Sequence, residues 1–268
     1  MIDADLLQEQ LRLAATASSF DLAHEDERKR STRELIQLFY DIQAVVTPTC
    51  FVEIGAHEAR FSVDMAALHP GAKVVAFEGN PYNHAYFASG FDYAAHRVDY
   101  RNALVSDVDG ALEMMLQVSC EGRPIPRIKG NDSILKRNQQ GMEYEARLIA
   151  STRLDTAFAD LDKARNLFAL WVDVEGATRQ VFAGAAEVLT KTSSLLVEVE
   201  EHPYWEGQWL VDDVQAHLAR LGFVALARDF EYGHQFNILF VHRALWQAAG
   251  VRAALNAFLS RIGQSPRR

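Results

Sequence analysis

The sequence is poor in cysteine and lacks a long apolar run. Its 268 residues include two cysteines, Cys50 and Cys120, and neither stands in a CxxC pair or a Cys/His ligand pattern. This scarcity argues against a disulfide framework or a structural zinc site and fits a reducing cytoplasm. No run of about 18 uncharged apolar residues occurs, so we expect no membrane-spanning helix. The acidic N-terminal segment lacks the pattern of a signal peptide, and a cytoplasmic location is expected.

Basic residues are also in deficit. The sequence has 27 Lys and Arg against 36 Asp and Glu, a formal net charge of −9. Binding to nucleic acid without sequence preference depends on Lys and Arg, and so does docking on an anionic membrane. The charge therefore argues against both as partners.

The first 47 residues have a helical pattern. Apolar residues at helical spacing predict one helix around Leu6, Leu7, Leu11 and Leu13 and another around Leu35–Ile42. The charged run 24–30 is interpreted as a solvated helix face or linker. We expect these helices to offer a surface for a homo-oligomer.

From Cys50 onward, short apolar strands alternate with amphipathic helices. This alternation predicts an α/β fold with a mostly parallel sheet that helices cover on both faces. The last two strands are joined by a short connection, which predicts a hairpin and an antiparallel last strand. Strands are predicted from Cys50 and at 73–78, 99–105, 167–174, 195–200, 223–228 and 237–242, and helices at 61–68, 81–89, 177–189 and 210–221.

The segment from about 107 to 166 does not fit this alternation. It is rich in Gly, Pro and polar residues, and we interpret it as an insertion over the open edge of the site. Its basic residues predict either a site for a phosphate or carboxylate on a substrate or, slightly favoured, a solvated loop. They are Arg123, Arg127, Lys129, Lys136 and Arg137.

Two motifs follow the first two strands. Gly55, after the first strand, suits a tight turn beside a ligand, although a simple structural turn is the better interpretation of one glycine alone. Glu53, an acid closing a buried strand, needs a partner such as an ammonium group. Glu78 ends the second strand, 23 residues after Gly55, where an acid can accept hydrogen bonds from the two hydroxyls of a ribose. The alternative is an acid at a helix N-terminus. Together the motifs favour an adenosine-containing cofactor, which leaves NAD and S-adenosylmethionine open.

Four segments resemble the FkbM family of S-adenosylmethionine-dependent methyltransferases: FVEIGAHEARFS, VVAFEGNP, NALVSD and WVDVEGATRQVFAGAAEVL. The resemblance covers residues 50–222 and implies a class I, Rossmann-like methyltransferase fold of seven strands with S-adenosyl-L-methionine as cofactor. It places Glu53, Gly55 and His57 around the methionine portion, Glu78 on the ribose and Asp173 beside the sulfonium. Glu53 stands where the family has Asp, His57 where it has Asn, and Ala59 where it has Gly.

An acidic cluster follows the fourth and fifth strands. Asp173 and Glu175 lie two apart, and residues two apart on a strand share a face. His202 is the natural general base for removing a proton from an acceptor hydroxyl, with Glu175 or Glu200 as an alternative base or as its orienting group. In the structural alternative, Glu175 caps a helix and Glu198 pairs with an arginine. A divalent cation held by Asp173 and neighbouring acids ranks below a plain base, because no ligand signature is present. Nearby aromatic residues suit either sugar faces or core packing; they are Tyr204, Trp205 and Trp209.

The sequence thus predicts a helical segment at 1–47, a methyltransferase domain at 48–245 with the insertion at about 107–166, and a C-terminal helix and tail at 246–268. The resemblance implies an enzyme, an O-methyltransferase of a sugar or natural-product hydroxyl, in polysaccharide, glycolipid or secondary-metabolite biosynthesis. One alternative is a degenerate methyltransferase-like scaffold, favoured by Ala59. The other is an NAD-dependent sugar oxidoreductase, which the absence of GxGxxG and of a Tyr-x-x-x-Lys pair disfavours.

Overall fold

The structure is a computed structural model that describes residues 11–162 and 166–263. The strands are β1 Cys50–Ile54, β2 Lys73–Glu78, β3 Val98–Asn102, β4 Leu104–Val105, β5 Gly110–Cys120, β6 Arg123–Pro124, β7 Met142–Thr152, β8 Phe168–Val172, β9 Thr192–Glu200, β10 Phe223–Arg228 and β11 Gln235–His242. The helices are α1 Glu25–Val46, α2 Arg60–Leu68, α3 Pro81–Gly90, α4 Leu154–Ala157, α5 Thr178–Ala183, α6 Ala186–Leu189, α7 Val211–Arg220, α8 Arg243–Trp246 and α9 Ala249–Arg261, with a 3₁₀ turn at Thr16–Ser19.

The main sheet has seven strands in the order β10-β11-β9-β8-β1-β2-β3. The chain divides into two compact units, a central unit of residues 48–192 and 203–209 and a terminal unit of the remaining residues. In the central unit, β1 pairs in parallel with β2 and with β8, and β2 pairs in parallel with β3. Every residue of β1 and of β8 is buried, as expected for strands covered on both faces. The predicted α/β fold with a mostly parallel sheet is confirmed.

A second sheet, of four strands in the order β4-β7-β5-β6, also lies in the central unit. It is built on the long antiparallel pair β5 and β7, which falls within the predicted insertion. The prediction of a single strand over 99–105 is wrong, because the chain leaves the main sheet after Asn102 and enters the second sheet at Leu104. Buried apolar side chains hold this second sheet together: Leu104, Met114, Leu116 and Ile149.

The predicted helix at 177–189 is also wrong as a single element, because the chain breaks it into α5 and α6 at Gly184 and Ala185. A Cβ on Gly184 would lie 1.9 Å from the carbonyl oxygen of Ser106, so only glycine allows this approach. Asp155 then accepts hydrogen bonds from the backbone N–H groups of Glu187 and Val188 at 3.0 and 2.9 Å. This side-chain cap starts the second helix.

In the terminal unit, β11 runs antiparallel to both β9 and β10. Helix α1 buries its apolar stripe (Leu35, Leu38, Phe39 and Ile42) and is joined to α9 by Arg261, which bonds Glu34 at 2.6 Å and Asp41 at 3.1 Å. The charged run 24–30 forms the N-cap and the first turns of α1. Residues 11–15 are helical. Leu6 and Leu7 of the predicted first helix, residues 163–165 of the insertion and the tail 264–268 lie outside the described residues.

Within the two described ranges, no helix combines the length and hydrophobicity needed to cross a membrane.

Candidate functional site

A cleft opens in the central unit at the carboxyl ends of β1, β2 and β8, where ligands bind in open α/β sheets. Its empty space is about 580 Å³, part of it open to solvent. We call the strand ends its floor and the loop between β6 and β7 its roof. The floor includes Ile54, Gly55, His57, Phe77, Glu78, Gly79, Asn80, Asp173, Val174 and Glu175, and the roof Lys129, Gly130, Asp132, Ser133 and Ile134.

Gly55 lets two strand ends meet in the floor. It has a φ of +80°, and a Cβ there would lie 1.6 Å from the carbonyl oxygen of Asp173. The N–H of Asp173 in turn donates to the carbonyl oxygen of Ile54 at 2.9 Å. The space that glycine leaves is therefore occupied by the turn after β8, and the floor is closed backbone against backbone.

Two further residues of this turn have left-handed backbones, His57 with a φ of +48° and Ala59 with a φ of +51°. Left-handed conformations cost a residue with a side chain about 1 kcal/mol or more, which gives a physical reason for the glycine that the FkbM pattern has in place of Ala59. Ala59 is fully buried and is not among the described residues that line the cleft. Backbone strain of this kind clusters at functional sites.

Glu53 lies behind the floor. It is 2% exposed, and its Oε2 accepts a hydrogen bond from the N–H of Ser62 in the first turn of α2 at 2.7 Å. Burial, with a smaller contribution from the charge of Asp173, raises its pKa to about 8. The partner of this buried acid is thus the start of a helix, and Glu53 is not among the cleft-lining residues.

Glu78 lines the cleft and is held in place through both carboxylate oxygens. Its Oε2 accepts from the N–H of His57 and its Oε1 from the N–H of Asn80, each at 2.7 Å. The residue is 5% exposed, and burial raises its pKa to about 7. Nδ2 of Asn83 also donates to Oε1, at 3.4 Å, so about one of the four acceptor positions of this carboxylate remains for a ligand. His57 also lines the cleft, and burial lowers the pKa of its imidazole.

A polar network that the sequence analysis missed ties the roof to the floor. Asn80, which caps α3, donates through Nδ2 to Asp132 at 2.8 Å, and Asn83 donates to the carbonyl oxygen of Lys129 at 2.7 Å. Asp132 also accepts from the N–H of Gln117 at 2.8 Å and pairs with Lys129 at 3.1 Å. Asn before Pro81 is a recognisable helix cap, but its partners lie tens of residues away and leave no local signal.

Asp173 and Glu175 meet in the floor, with carboxylate oxygens within 4.8 Å of each other. The prediction that this pair shares one face of a strand is wrong, because β8 ends at Val172. The pair lies in the turn that follows, where Glu175 has a φ of +50°. Ser133 of the roof donates to the carbonyl oxygen of Glu175 at 2.8 Å. The roof therefore holds this turn in place through Ser133.

His202, in the terminal unit, is exposed on the bend after β9. Its ring lies 4.0 Å from that of His234, whose Nδ1 is 3.3 Å from Oε2 of Glu201. Glu198 and the buried Glu200 lie in β9 itself.

The basic residues of the insertion have different environments. Arg127 pairs with Glu145, and Lys129 with the buried Asp132. Arg137 instead stacks on Trp205, while Arg123 and Lys136 are exposed. Of the nearby aromatic residues, Trp205 is fully buried, Trp209 partly buried and Tyr204 exposed.

Comparison with known proteins identifies one family. Residues 53–225 match the model of the methyltransferase FkbM domain. No curated protein sequence shows a significant similarity to the chain.

Similar solved structures share little sequence identity with the chain. WbdD, in a complex with a kinase inhibitor, has a TM-score of 0.43 at 10% identity, covering 80% of this chain and 40% of its own. The N-terminal domain of EvdMO1 with SAH bound has a TM-score of 0.41 at 15% identity, and the match covers 80% of both chains. Human N-acetylserotonin methyltransferase with SAM has a TM-score of 0.36 at 13% identity, and the match covers 82% of this chain and 57% of that enzyme. The chain thus spans about 40% of the length of WbdD.

Proposed function

The chain belongs to the FkbM methyltransferase family, and from this premise we propose that it is an S-adenosyl-L-methionine-dependent O-methyltransferase. The acceptor we propose is a hydroxyl of a sugar or natural product, in the biosynthesis of a polysaccharide, glycolipid or secondary metabolite. The observation that carries the cofactor assignment is Glu78, an acid at the end of β2 that lines the cleft and keeps about one acceptor position unused. S-Adenosylmethionine is the family's methyl donor, and its ribose offers two hydroxyl donors.

The residues of the cleft fit this cofactor. Glu78 would hold the ribose, His57 and the turn after Gly55 would flank the methionine portion, and Asp173 would lie beside the sulfonium. Glu53 would act behind them by anchoring the start of α2, since its carboxylate binds the N–H of Ser62. Bound cofactor supplies a methyl group on a positively charged sulfur, and the carboxylates of the floor favour that charge.

The chain must supply a group that takes the proton of the acceptor hydroxyl. We assign this role to His202, because an imidazole can take a proton near neutral pH, with Glu175 as the alternative base or as its orienting group. His234 would hold the His202 ring, since the two rings are in contact.

Calorimetric titration with S-adenosylhomocysteine tests the cofactor assignment. We expect one-site binding to the wild type, about tenfold weaker binding to Glu78→Gln, and unchanged binding to the control Glu113→Gln, whose carboxylate is exposed on β5. A pKa of about 7 means that the carboxylate which accepts the ribose hydroxyls forms as the pH rises. Affinity should therefore increase from pH 6 to pH 8 in the wild type and stay flat in Glu78→Gln.

Two outcomes would contradict the proposal. Folded wild-type protein that binds no S-adenosylhomocysteine would favour the degenerate scaffold. Wild-type affinity in Glu78→Gln would remove Glu78 from the ribose site.

A further inference from the structure

Arg137, which is partly buried, differs from the other cations near the cleft. Lys129 pairs with Asp132, and Arg127 and Arg147 both pair with Glu145. Arg137 has no carboxylate within ion-pair distance in the part of the chain that the structure describes, and its Nε is buried without an acceptor. A cation that is partly desolvated and unneutralised in a chain of net charge −9 is costly unless an anion joins it.

The guanidinium of Arg137 is held in a defined position. Its central carbon lies 4.8 Å from the centre of the Trp205 ring, and its backbone N–H donates to the hydroxyl of Tyr144 at 2.8 Å. Trp205 is fully buried and packs against Gly176, where a Cβ would lie 2.5 Å from its ring. Stacking on an aromatic face leaves the edge of a guanidinium open for hydrogen bonds.

Arg137 and Trp205 do not line the cleft themselves but adjoin residues that do. Ser133 and Ile134, just before Arg137, line the roof, and Ser133 bonds the carbonyl oxygen of Glu175 in the floor. Trp205 packs on Gly176, the residue after Glu175. Arg137 therefore belongs to the roof loop and is linked to the floor through Trp205 and Gly176.

We propose that Arg137 binds an oxyanion, a carboxylate or a phosphate, carried by the methyl acceptor. The substrate class is then an acidic or phosphorylated sugar or natural product, an inference that rests on the proposed methyltransferase function. A guanidinium can bind either oxyanion through two parallel hydrogen bonds, which orients the acceptor as well as binding it. In the competing interpretation, Arg137 only covers the Trp205 ring.

Anion titrations monitored by nuclear magnetic resonance distinguish the two interpretations. Inorganic phosphate, acetate and neutral glycerol are added at constant ionic strength, and the Nε–H of Arg137 and the indole N–H of Trp205 are observed. The variants are Arg137→Gln, Arg137→Lys, which keeps the charge but not the fork, and Arg123→Gln, an exposed arginine of the same insertion. Each variant is also titrated with S-adenosylhomocysteine to show that its fold and cofactor site are intact.

We expect saturable shifts of both signals with at least one of the two anions and none with glycerol. Followed by the Trp205 signal, affinity should fall about tenfold in Arg137→Gln, fall less in Arg137→Lys and stay unchanged in Arg123→Gln. The tighter anion indicates whether the acceptor group is a phosphate or a carboxylate. Linear, unsaturable shifts in the wild type, or equal titrations of wild type and Arg137→Gln, would overturn the proposal. Failure of the wild type to bind S-adenosylhomocysteine would instead contradict the methyltransferase function and leave the anion titration readable.

Discussion

The floor and the roof of the cleft are held together by different forces. The floor stands on β1 and β8, whose residues are all buried, and its turns touch backbone to backbone at Gly55 and Asp173. The roof is tied down by hydrogen bonds between polar side chains, such as the bond from Asn80 to Asp132. A steric change should therefore break the floor, whereas loss of one polar partner should loosen the roof.

This contrast also bears on function. The floor carries the proposed cofactor residues, and the roof carries Arg137 and Asp132, whose partner Asn80 bonds Glu78. Asn80 bonds both Glu78 and Asp132, and Asn83 bonds both Glu78 and the carbonyl oxygen of Lys129, so damage to the roof should reach the proposed cofactor site through these two residues.

The largest effect is expected for Gly55→Ala in the floor. The new Cβ would overlap the Asp173 carbonyl oxygen and the residue would keep a positive φ, so the free energy of unfolding should fall by about 4 kcal/mol or more. Urea unfolding measures this loss. Gly71→Ala is the control, because a Cβ there meets no atom within 4 Å, and its effect should stay within about 0.5 kcal/mol. Wild-type stability in Gly55→Ala would show that the two turns can separate.

A smaller, more local effect is expected for Asp132→Ala in the roof. Removing the carboxylate leaves Lys129, whose side chain is 11% exposed, without its buried partner, and the cost should be about 3 kcal/mol. Hydrogen exchange should quicken at 126–134 before β1 or β8 is affected, and S-adenosylhomocysteine should bind about tenfold more weakly. The exposed Asp160→Ala serves as control. Equal loosening of roof and floor would contradict the comparison.

The smallest effect is expected for Ala59→Gly. Glycine relieves the strain of the left-handed backbone, but it removes a buried methyl group and adds conformational freedom to the unfolded chain. The free energy of unfolding should therefore change by less than about 1 kcal/mol. Ala66→Gly is the control: Ala66 is buried inside α2, so glycine relieves no strain there, and the free energy of unfolding should fall by about 1–2 kcal/mol. Titration of Ala59→Gly with S-adenosylhomocysteine should give the wild-type affinity within about threefold. A tenfold gain would mean that the alanine methyl crowds the cofactor.

The elements that the sequence predicted well are those with a local apolar pattern. Lys73–Glu78 and Phe223–Arg228 are strands with the predicted bounds, and helices α2, α3 and α7 differ from the predicted bounds by one residue at the ends that differ. Errors arose where a distant contact overrides the pattern. Gly184 breaks a helix because Ser106 lies against it, and Ala103 separates strands of two different sheets.

The candidate site divides in the same way. Glu78 and Gly55 were recognisable because a turn residue and an acid follow buried strands at a characteristic spacing. Asn80, Asp132 and Lys129 were not, because each depends on a partner in another element.

By itself, the sequence determined the order of buried strands, the family and the acid that faces the cleft, since apolar periodicity and short motifs are local properties. Only the tertiary structure decided that Gly55 meets Asp173, that Lys129 is neutralised and that Arg137 has no ion-pair partner among the described residues. The physical reason is that hydrogen bonds and ion pairs depend on which groups the fold brings within a few ångströms. Residues separated by tens of positions leave no periodic trace of that proximity.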